Sequence, residues 1–490
     1  MSPKTKIPRC MSTQHPDNVN VPFFAESSEL GGEDEIQEAY YVFSHLGCDE
    51  QMWDCEGKEV DNFVVKKLLT KYDLFFRNCR IGRDVFITPR VPNPSVERDE
   101  AKILLETLES IPRSFDTAKL FYNDDISPIF EVILPMTSSA QCLDRVYIYY
   151  RDFVVGKQAK QFKKGDITIA EWIGRFEPET INVIPLFEEL DHMLNAHRIT
   201  KEYLEDKEIE QQRVFLARSD PAMNYGFITA VLINKIALFR LRKFEEESGI
   251  EIYPIIGIGS VPFRGGFRPE TVERVIDEYP SVYTFTIQSS FKYDNPPDKV
   301  RNAIEKIRDR KPEKAKEVDE KRCLEIVEKY SREYRNQVAQ LAMLINEMAK
   351  FVPSRRKRKL HIGLFGYSRN IQGVRLPRAI TFTAALYSLG LPPEILGLNA
   401  LSDRDLEFIR ETFVHFDDYM KDALAYLDPE SLSLVHANLR DALANLDLDV
   451  SPDETHLDLT REMVDILRHR SGRDMTEILI RAAYRRGFLG

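Results

Sequence analysis

Residues 213–260 read RVFLARSDPAMNYGFITAVLINKIALFRLRKFEEESGIEIYPIIGIGS and contain the repeating unit that decides the fold. An apolar run at 213–220 is followed by apolar residues at helical spacing over 224–248, and a second apolar run follows at 253–260. Both runs are almost wholly apolar at their centres, as is typical of a strand that is covered on both faces. The stretch therefore predicts a strand–helix–strand unit with parallel strands.

The same alternation extends in both directions from this unit. Seven short runs predict strands, at 84–90, 129–136, 181–188, 213–220, 253–260, 282–289 and 360–368. Seven such units predict an α/β protein with a parallel sheet, and one more strand would close the sheet into a (β/α)8 TIM-type barrel. The position of the eighth strand stays open, with residues 117–124 as one candidate.

The remaining segments surround this predicted barrel. Residues 1–80 are expected to hold an N-terminal active-site segment and, over 34–80, a helical arm ahead of a barrel at 81–391. The charged stretch 294–350 predicts a helical insertion of two long solvated helices, and 392–490 predicts an all-helical C-terminal region. We expect these parts to form a single compact catalytic unit.

Composition and charge exclude several classes of protein. The 490 residues are 43% hydrophobic and 30% charged, which is a globular composition. A net charge of −11 argues against a general nucleic-acid or anionic-membrane surface, and no apolar run approaches the ~18–20 residues that span a bilayer. The six cysteines have no metal-ligand spacing, and no signal peptide is evident. We expect reduced thiols in a cytoplasmic protein with neither a nucleic-acid nor a membrane partner.

Polar side chains follow nearly every predicted strand at the point where it ends. In a barrel of this kind, the loops at the carboxyl ends of the strands form the functional site. These ends carry Thr88 and Arg90, Thr137 to Ser139, Glu188, Arg218 to Asp220, Arg264 and Arg268, Gln288 to Ser290 with Lys292, and Ser368 with Arg369. Charged groups at the end of a core strand are costly to bury unless they are paired or bound. Their convergence on one face predicts a functional site.

Two subsets of these residues indicate chemistry. Glu188 and Asp220 end neighbouring strands, so their carboxylates could share one hard divalent cation, with water and substrate oxygens as further ligands. Five arginines would supply fixed guanidinium groups for phosphate and carboxylate: Arg90, Arg264, Arg268, Arg369 and Arg378. One metal and several arginines fit a small phosphate ester with several negative charges. The chain has no GxxxxGK[ST] or GxGxxG motif, so a nucleotide is not implied.

Structural interpretations stay open for several of these residues. A carboxylate and an arginine on adjacent strands could form only a structural ion pair, and RGGFR could be a glycine turn with surface arginines. Lys292 could be an ordinary solvated lysine, and His15 a turn histidine. The basic run RRKRK at 355–359 could bind nucleic acid, but a solvated linker is favoured.

Motifs along the whole chain resemble those of archaeal-type phosphoenolpyruvate carboxylase. In order, they are IPRCMSTQHPDN, VIPLFE, ARSDPAMNYG, FRGGFR, TIQSSFKY and YSRN…LPRAI. The resemblance implies carboxylation of phosphoenolpyruvate by bicarbonate to oxaloacetate and phosphate, an anaplerotic fixation of carbon dioxide. It implies a route through carboxyphosphate and a metal-stabilised enolate of pyruvate. It also implies Mg²⁺ or Mn²⁺ as cofactor and a homotetramer.

A weaker similarity to the longer bacterial and plant phosphoenolpyruvate carboxylases assigns roles to single residues. TQHPD is similar to their TAHPT segment, which implies that His15 is the base that deprotonates carboxyphosphate. Two further segments resemble those that hold the metal carboxylates, which implies Glu188 and Asp220 as the metal ligands. FRGGFR resembles their glycine-rich loop, which implies catalytic roles for Arg264 at the phosphate and for Arg268 at bicarbonate or carboxyphosphate.

The resemblance also implies the remaining assignments. Substrate binding is expected of Arg90, Arg264, Arg369, Arg378 and Gln288. Met223 replaces a lysine of the longer enzymes, and Lys292 is the candidate that takes over its catalytic role. The stretch CMSTQHPDN is then expected to deliver His15 to the barrel mouth, where exclusion of water would protect the enolate from protonation.

Three alternative functions would use the same residues differently. Another phosphoenolpyruvate or pyruvate barrel enzyme, a lyase or mutase, would keep Glu188 and Asp220 but would not need bicarbonate. A catalytically inactive barrel could act as an assembly scaffold, although a scaffold has no reason to keep His15, the carboxylates and the arginines together. A nucleic-acid-binding protein that uses RRKRK is disfavoured by the acidic balance of the chain.

Overall fold

Eight parallel strands close into a barrel in chain order in the computed structural model, which describes residues 6–55, 61–98, 101–357, 370–371, 373–435, 438–469 and 472–490. The barrel strands are β1 Cys10–Ser12, β2 Glu50–Asp54, β3 Phe86–Arg90, β4 Glu131–Leu134, β5 Asn182–Phe187, β6 Gln211–Ala217, β7 Glu251–Gly257 and β8 Thr284–Ile287. A separate antiparallel pair consists of β9 Asn370–Ile371 and β10 Val374–Arg375. The predicted α/β fold with a TIM-type barrel is confirmed.

Helices surround the barrel and form most of the remaining described chain. The α-helices are α1 Glu33–Ser44, α2 Val64–Lys71, α3 Asp73–Asn78, α4 Ala101–Tyr122, α5 Ala140–Ile148, α6 Ile169–Ile173, α7 Leu190–Leu194, α8 Ala196–Leu204, α9 Ser219–Tyr225, α10 Phe227–Ser248, α11 Val272–Glu278, α12 Ser289–Tyr293, α13 Pro297–Asp309, α14 Glu320–Ala349, α15 Ala379–Ser388, α16 Asp403–Thr412, α17 Phe416–Leu424, α18 Leu439–Ala444, α19 Glu454–Arg468 and α20 Thr476–Arg486. Tyr149–Val155 is π-helical, and short 3-10 helices cover Gly156–Ala159, Pro262–Arg264, Pro269–Thr271, Pro393–Ile395, Leu398–Ala400 and Ser431–Leu434.

Six of the seven predicted strands coincide with β3 to β8, whereas the strand predicted at 360–368 lies outside the described residues. The candidate at 117–124 is not a strand, because most of it belongs to α4. The N-terminal region 1–80 contains helices, as predicted, but it also supplies β1 and β2. The barrel therefore begins at Cys10 rather than at residue 81. The division of the chain into domains otherwise stays a prediction.

The first two barrel strands have sequences that do not look like buried strands. β1 has only three residues, and its place is set by pairing of Met11 with Glu50 on one side and Thr286 on the other. β2 reads EQMWD, and its Glu50 and Asp54 are both buried. Acidic residues at these positions break the apolar pattern by which the other strands are predicted. The buried carboxylates of β2 therefore need buried cationic partners.

A buried ion pair network inside the barrel supplies the partner of Glu50. Arg213 on β6 donates from Nη2 to Glu50 at 2.7 Å and from Nη1 to Glu131 on β4 at 3.0 Å. The side chains of Arg213 and Glu50 are 1% and 0% exposed. An apolar layer of the interior consists of Met11, Met52, Ile133, Ile184, Leu186, Phe215, Ala217 and Ile255. The interior is thus a packed core that joins strands on opposite sides of the barrel.

The insertion and the C-terminal helices pack around this barrel. The insertion forms α13 and α14, but α14 is not simply solvated, because its Tyr330 and Tyr334 are fully buried. Tyr334 donates a hydrogen bond to the Met223 carbonyl at 2.8 Å, which joins the insertion to α9. No single helix among the described residues is long and apolar enough to cross a membrane. One bent pair, Ala379–Ser388 with Pro393–Ala400, would reach that length and hydropathy only when both are taken together.

Replacing Arg213 with methionine tests the ion pair inside the barrel. Arg213→Met leaves the Glu50 and Glu131 carboxylates buried without their cation, so we expect a loss of about 3–5 kcal/mol in the free energy of unfolding. Urea unfolding followed by circular dichroism measures the loss. Arg332→Met is the matched control, because Arg332 and its partner Glu328 are 66% and 75% exposed, and it should change stability by no more than about 0.5 kcal/mol. Equal losses in the two variants would contradict the role given to Arg213.

Candidate active site

A cavity of about 320 Å³ opens at the carboxyl ends of the barrel strands. Seven of the residues predicted for the site line it: His15, Arg90, Glu188, Asp220, Arg264, Gln288 and Arg378. They come from the ends of six different strands and from the segment just ahead of α15. This is the end of a TIM-type barrel at which active sites are built.

His15 reaches the cavity from a turn that begins where β1 ends. The Ser289 N–H, at the start of α12, donates to the His15 carbonyl at 3.1 Å. Asp17 holds the other side of the turn, because its carboxylate accepts the Ser290 N–H at 2.7 Å and the Ser260 N–H at 3.3 Å. Burial raises the pKa of Asp17, while the Arg264 charge opposes that rise. The turn is therefore fixed to the loops that follow β7 and β8.

The hydroxyl of Thr13 contacts the imidazole of His15. Thr13 Oγ1 lies 2.9 Å from His15 Nδ1 and 3.4 Å from the Ile287 carbonyl oxygen. When the hydroxyl proton points to that carbonyl, Oγ1 accepts a hydrogen bond from Nδ1–H, and Nε2 carries the imidazole lone pair. Thr13 also lines the cavity but was not predicted as a site residue. The one sequence feature that could have indicated it is its position two residues before the candidate base His15.

Glu188 and Asp220 follow β5 and β6, which are neighbouring strands of the barrel. Glu188 is buried, and its Oε2 accepts the Met136 N–H at 2.8 Å, which fixes the orientation of the carboxylate. Within the described chain, no three histidine, cysteine or acidic side chains are grouped as a metal site. The two carboxylates nevertheless fit Mg²⁺, which commonly binds through one or two carboxylates with water and phosphate oxygens as its other ligands.

Arg264 is held by hydrogen bonds on all three of its nitrogens. Nη2 donates to Gln288 Oε1 at 2.6 Å, Nε to Ser219 Oγ at 3.2 Å, and Nη1 to the Gly490 carbonyl at 2.7 Å. Burial lowers the pKa of Arg264, and the Asp17 carboxylate 3.6 Å away opposes this change. A guanidinium stays charged under such conditions. Arg264 therefore presents a positive charge to the cavity in one fixed orientation.

Arg378 and Arg90 differ in how their charge is satisfied. Nη2 of Arg378 is buried and has no hydrogen-bond partner among the described residues. A buried charged donor without a partner costs about 1–3 kcal/mol or more, so Arg378 is suited to an anion in the cavity. Arg90 forms two hydrogen bonds with Asp54, both at 3.0 Å, and part of its charge is neutralised there.

Two predicted site residues that the structure describes, Arg268 and Lys292, are not among those that line the cavity. Arg268, which follows β7, interacts with Asp422 at 3.4 Å. Lys292 is fully buried and pairs with Glu38 at 2.9 Å. Arg369 lies outside the described residues. The roles assigned to these three residues stay predictions.

The basic run at 355–359 departs from the solvated linker that was predicted. Its first two residues, Arg355 and Arg356, are buried and line the cavity. Arg355 donates to the Val19 carbonyl at 2.9 Å, and Arg356 donates to Glu38 at 2.9 Å. Both arginines therefore line the cavity and are not solvated. Their burial is compensated by carbonyl and carboxylate partners inside the protein.

The family model and the curated relatives that match this chain agree on one family. Residues 7–490 match the family model described as phosphoenolpyruvate carboxylase. The curated phosphoenolpyruvate carboxylase of Methanothermobacter thermautotrophicus is 61% identical over 99% of this chain and 100% of its own length. That of Methanospirillum hungatei is 55% identical over 99% and 100%, and that of Pyrococcus furiosus 57% identical over 86% and 89%. Among solved structures, an HpcH/HpaI aldolase from Desulfitobacterium hafniense covers 57% of this chain and 85% of its own, at 11% identity and a TM-score of 0.33.

Binding of inorganic phosphate tests the anion site without any turnover. Arg378→Met removes a buried donor from the cavity, so we expect phosphate affinity to fall about tenfold or more in isothermal titration calorimetry. Arg274→Met is the control, because Arg274 also follows β7 but pairs with Asp422 at 2.6 Å and does not line the cavity. Equal affinities of the Arg378 variant and the unaltered protein would contradict the anion site.

Proposed function

The chain belongs to the phosphoenolpyruvate carboxylase family, and from this premise we propose that the cavity at the barrel mouth is where it carries out its reaction. It is an enzyme, a carboxy-lyase, that carboxylates phosphoenolpyruvate with bicarbonate to give oxaloacetate and phosphate. The observation that carries the proposed site is the convergence of a histidine, two carboxylates and several arginines on one cavity. This chemistry suits a substrate that carries both a phosphate and a carboxylate.

Arginine side chains bind and orient phosphoenolpyruvate. Arg264 and Arg378 hold the phosphate, Gln288 fixes the guanidinium of Arg264, and Arg90 and Arg369 complete the substrate contacts. Fixed cations hold the phosphorus in line for attack by bicarbonate, which forms carboxyphosphate and the enolate of pyruvate. Because Arg264 and Arg90 already have partners in the protein, little reorganisation of these two groups accompanies charge movement in the transition state.

His15 is the proposed base in the second part of the reaction. With Nδ1 donating to Thr13, Nε2 accepts the proton of carboxyphosphate, which then releases carbon dioxide beside the enolate. Histidine suits this task because its ordinary pKa lies near neutrality. Met52, Leu186 and Phe215 line the floor of the cavity and limit the water that could protonate the enolate before it captures carbon dioxide.

Glu188 and Asp220 are the proposed ligands of Mg²⁺ or Mn²⁺. Such an ion, when bound, would act as a Lewis acid toward the oxygen atoms that gain charge. The fixed orientation of Glu188 and the position of both carboxylates on one cavity support this assignment. We also propose a homotetramer, which the family resemblance implies, and a cytoplasmic location, with phosphoenolpyruvate and bicarbonate as substrates.

A coupled assay tests the proposed site. Malate dehydrogenase and NADH report oxaloacetate, and we expect NADH loss that requires bicarbonate and stops with EDTA. Asp220→Ala should lower the rate about 100-fold or more, because a Lewis acid supplies several kcal/mol of stabilisation. His15→Asn should lower it by a similar factor. His469→Asn, which changes an exposed histidine directly after α19, is the control and should retain the rate.

The same assay separates the alternatives. Because His15 acts after phosphate transfer in this scheme, carboxyphosphate should still form in His15→Asn and hydrolyse to bicarbonate and phosphate, so phosphate release should fall less than oxaloacetate formation. Unchanged oxaloacetate formation in that variant would exclude His15 as the base. Pyruvate or phosphate without oxaloacetate in the unaltered enzyme would indicate a different enolate reaction, and no turnover at all would indicate a scaffold.

A further inference from the structure

A cluster of charged side chains is buried beneath the end of β1. Glu38 on α1 pairs with Lys292 Nζ at 2.9 Å and with Arg356 Nη2 at 2.9 Å, and Arg356 Nη1 also pairs with Glu35 at 2.8 Å. Tyr293 donates from its hydroxyl to Glu38 at 2.7 Å. We call these five residues the Glu38 cluster. All four charged side chains are at most 3% exposed, and two cations balance two carboxylates.

Every donor of the Lys292 ammonium is already used inside the protein. Nζ donates to Ser12 Oγ at 3.0 Å, to the Thr13 carbonyl at 2.9 Å and to Glu38 Oε1 at 2.9 Å. An ammonium has three N–H donors and no acceptor. In this arrangement no donor remains for substrate, and Lys292 does not line the cavity. Its function must therefore be to hold the protein groups that accept its hydrogen bonds.

The groups that the cluster holds are the residues immediately before His15. Ser12 and Thr13 bind Lys292, and Gln14 Nε2 donates to Glu38 Oε2 at 3.3 Å. Burial disfavours the Glu38 carboxylate, but the charges of Arg356 and Lys292 outweigh this effect and lower its pKa. The anion thus persists at neutral pH.

We propose that Glu38 and Lys292 are positioning residues that fix the segment Ser12 to Gln14, and through Thr13 the orientation and tautomer of His15. This inference rests on the proposed role of His15. A buried ion pair contributes little stability relative to apolar packing of the same volume. Positional control of a base explains why the charges lie here, since misplacement of a catalytic group by 1 Å can lower a rate about 100-fold.

A set of three variants separates positioning from stability. Lys292→Met and Glu38→Gln each leave an unbalanced buried charge, so both should lower the midpoint of thermal unfolding. The double variant keeps the balanced Glu35–Arg356 pair and should recover at least half of that loss. All three should show kcat at least tenfold lower with KM for phosphoenolpyruvate within twofold, because each disturbs the hold on Ser12 and Thr13. The double variant should not recover kcat.

A buried pair elsewhere provides the matched control. Lys235 pairs with Glu278 at 9% and 0% exposure and contacts no residue of the His15 segment. Lys235→Met should lower thermal stability but keep kcat within twofold. If Lys292→Met or Glu38→Gln fails to fold, Ser12→Ala removes a single hydroxyl contact to Lys292 and should lower kcat severalfold.

Several outcomes would overturn the proposal. Unaltered kcat in Lys292→Met, recovery of kcat together with stability in the double variant, or loss of kcat in Lys235→Met would reduce the cluster to a structural role. An increase in KM alone would make Lys292 a substrate-binding residue. Failure of the proposed function is distinct, because then the unaltered enzyme would make no oxaloacetate or His15→Asn would be fully active.

Discussion

The hydrogen bonds between β1 and β8 are the interaction on which the rest of the structure depends. The Phe285 N–H donates to the Arg9 carbonyl at 3.0 Å, and the Thr13 N–H donates to the Ile287 carbonyl at 2.9 Å. A sheet without these bonds would have two open edges, whereas the barrel has none. Closure brings the turn with His15 beside the loop that carries Gln288, so a strand of only three residues assembles both the fold and the site.

Two layers of buried charge follow from this closure. Inside the barrel, Arg213 joins carboxylates from β2 and β4, and under the end of β1 the Glu38 cluster balances its charges internally. At the mouth, Arg264 and Arg355 are held by protein oxygens before any ligand binds. Arg264 and Arg355 therefore hold their charges in fixed positions at the cavity, which is the arrangement that favours electrostatic stabilisation of a transition state.

The sequence predicts the parts of this fold that depend on continuous apolar runs, and it predicts the site residues that end those runs. β3 to β8 are found in this way, and Glu188, Asp220 and Gln288, which follow three of these strands, line the cavity. β1 is too short for any periodicity, and β2 carries Glu50, whose partner Arg213 lies 163 residues further along the chain. Local patterns cannot indicate such a pairing.

The burial of Arg355 and Arg356 could not be predicted for the same reason. A basic run is ordinarily solvated, and these two arginines are buried only because Glu35 and Glu38 on α1 and the Val19 carbonyl receive them. One sequence feature could have indicated a buried basic partner. Glu35 and Glu38 lie about one helical turn apart among the apolar residues of α1. Lys292 shows the opposite case. Sequence similarity places it at the site, but only the tertiary contacts show that its three N–H donors already bind Ser12, Thr13 and Glu38.

Crystallography with a bound metal tests the central claim most directly. Crystals grown with Mn²⁺ and a phosphonate analogue of phosphoenolpyruvate allow the ion to be located from its anomalous scattering. We expect one Mn²⁺ within about 2.5 Å of oxygen atoms of both Glu188 and Asp220, with the phosphonate against Arg264 and Arg378. An ion bound elsewhere, or an analogue that lies outside this cavity, would contradict the site.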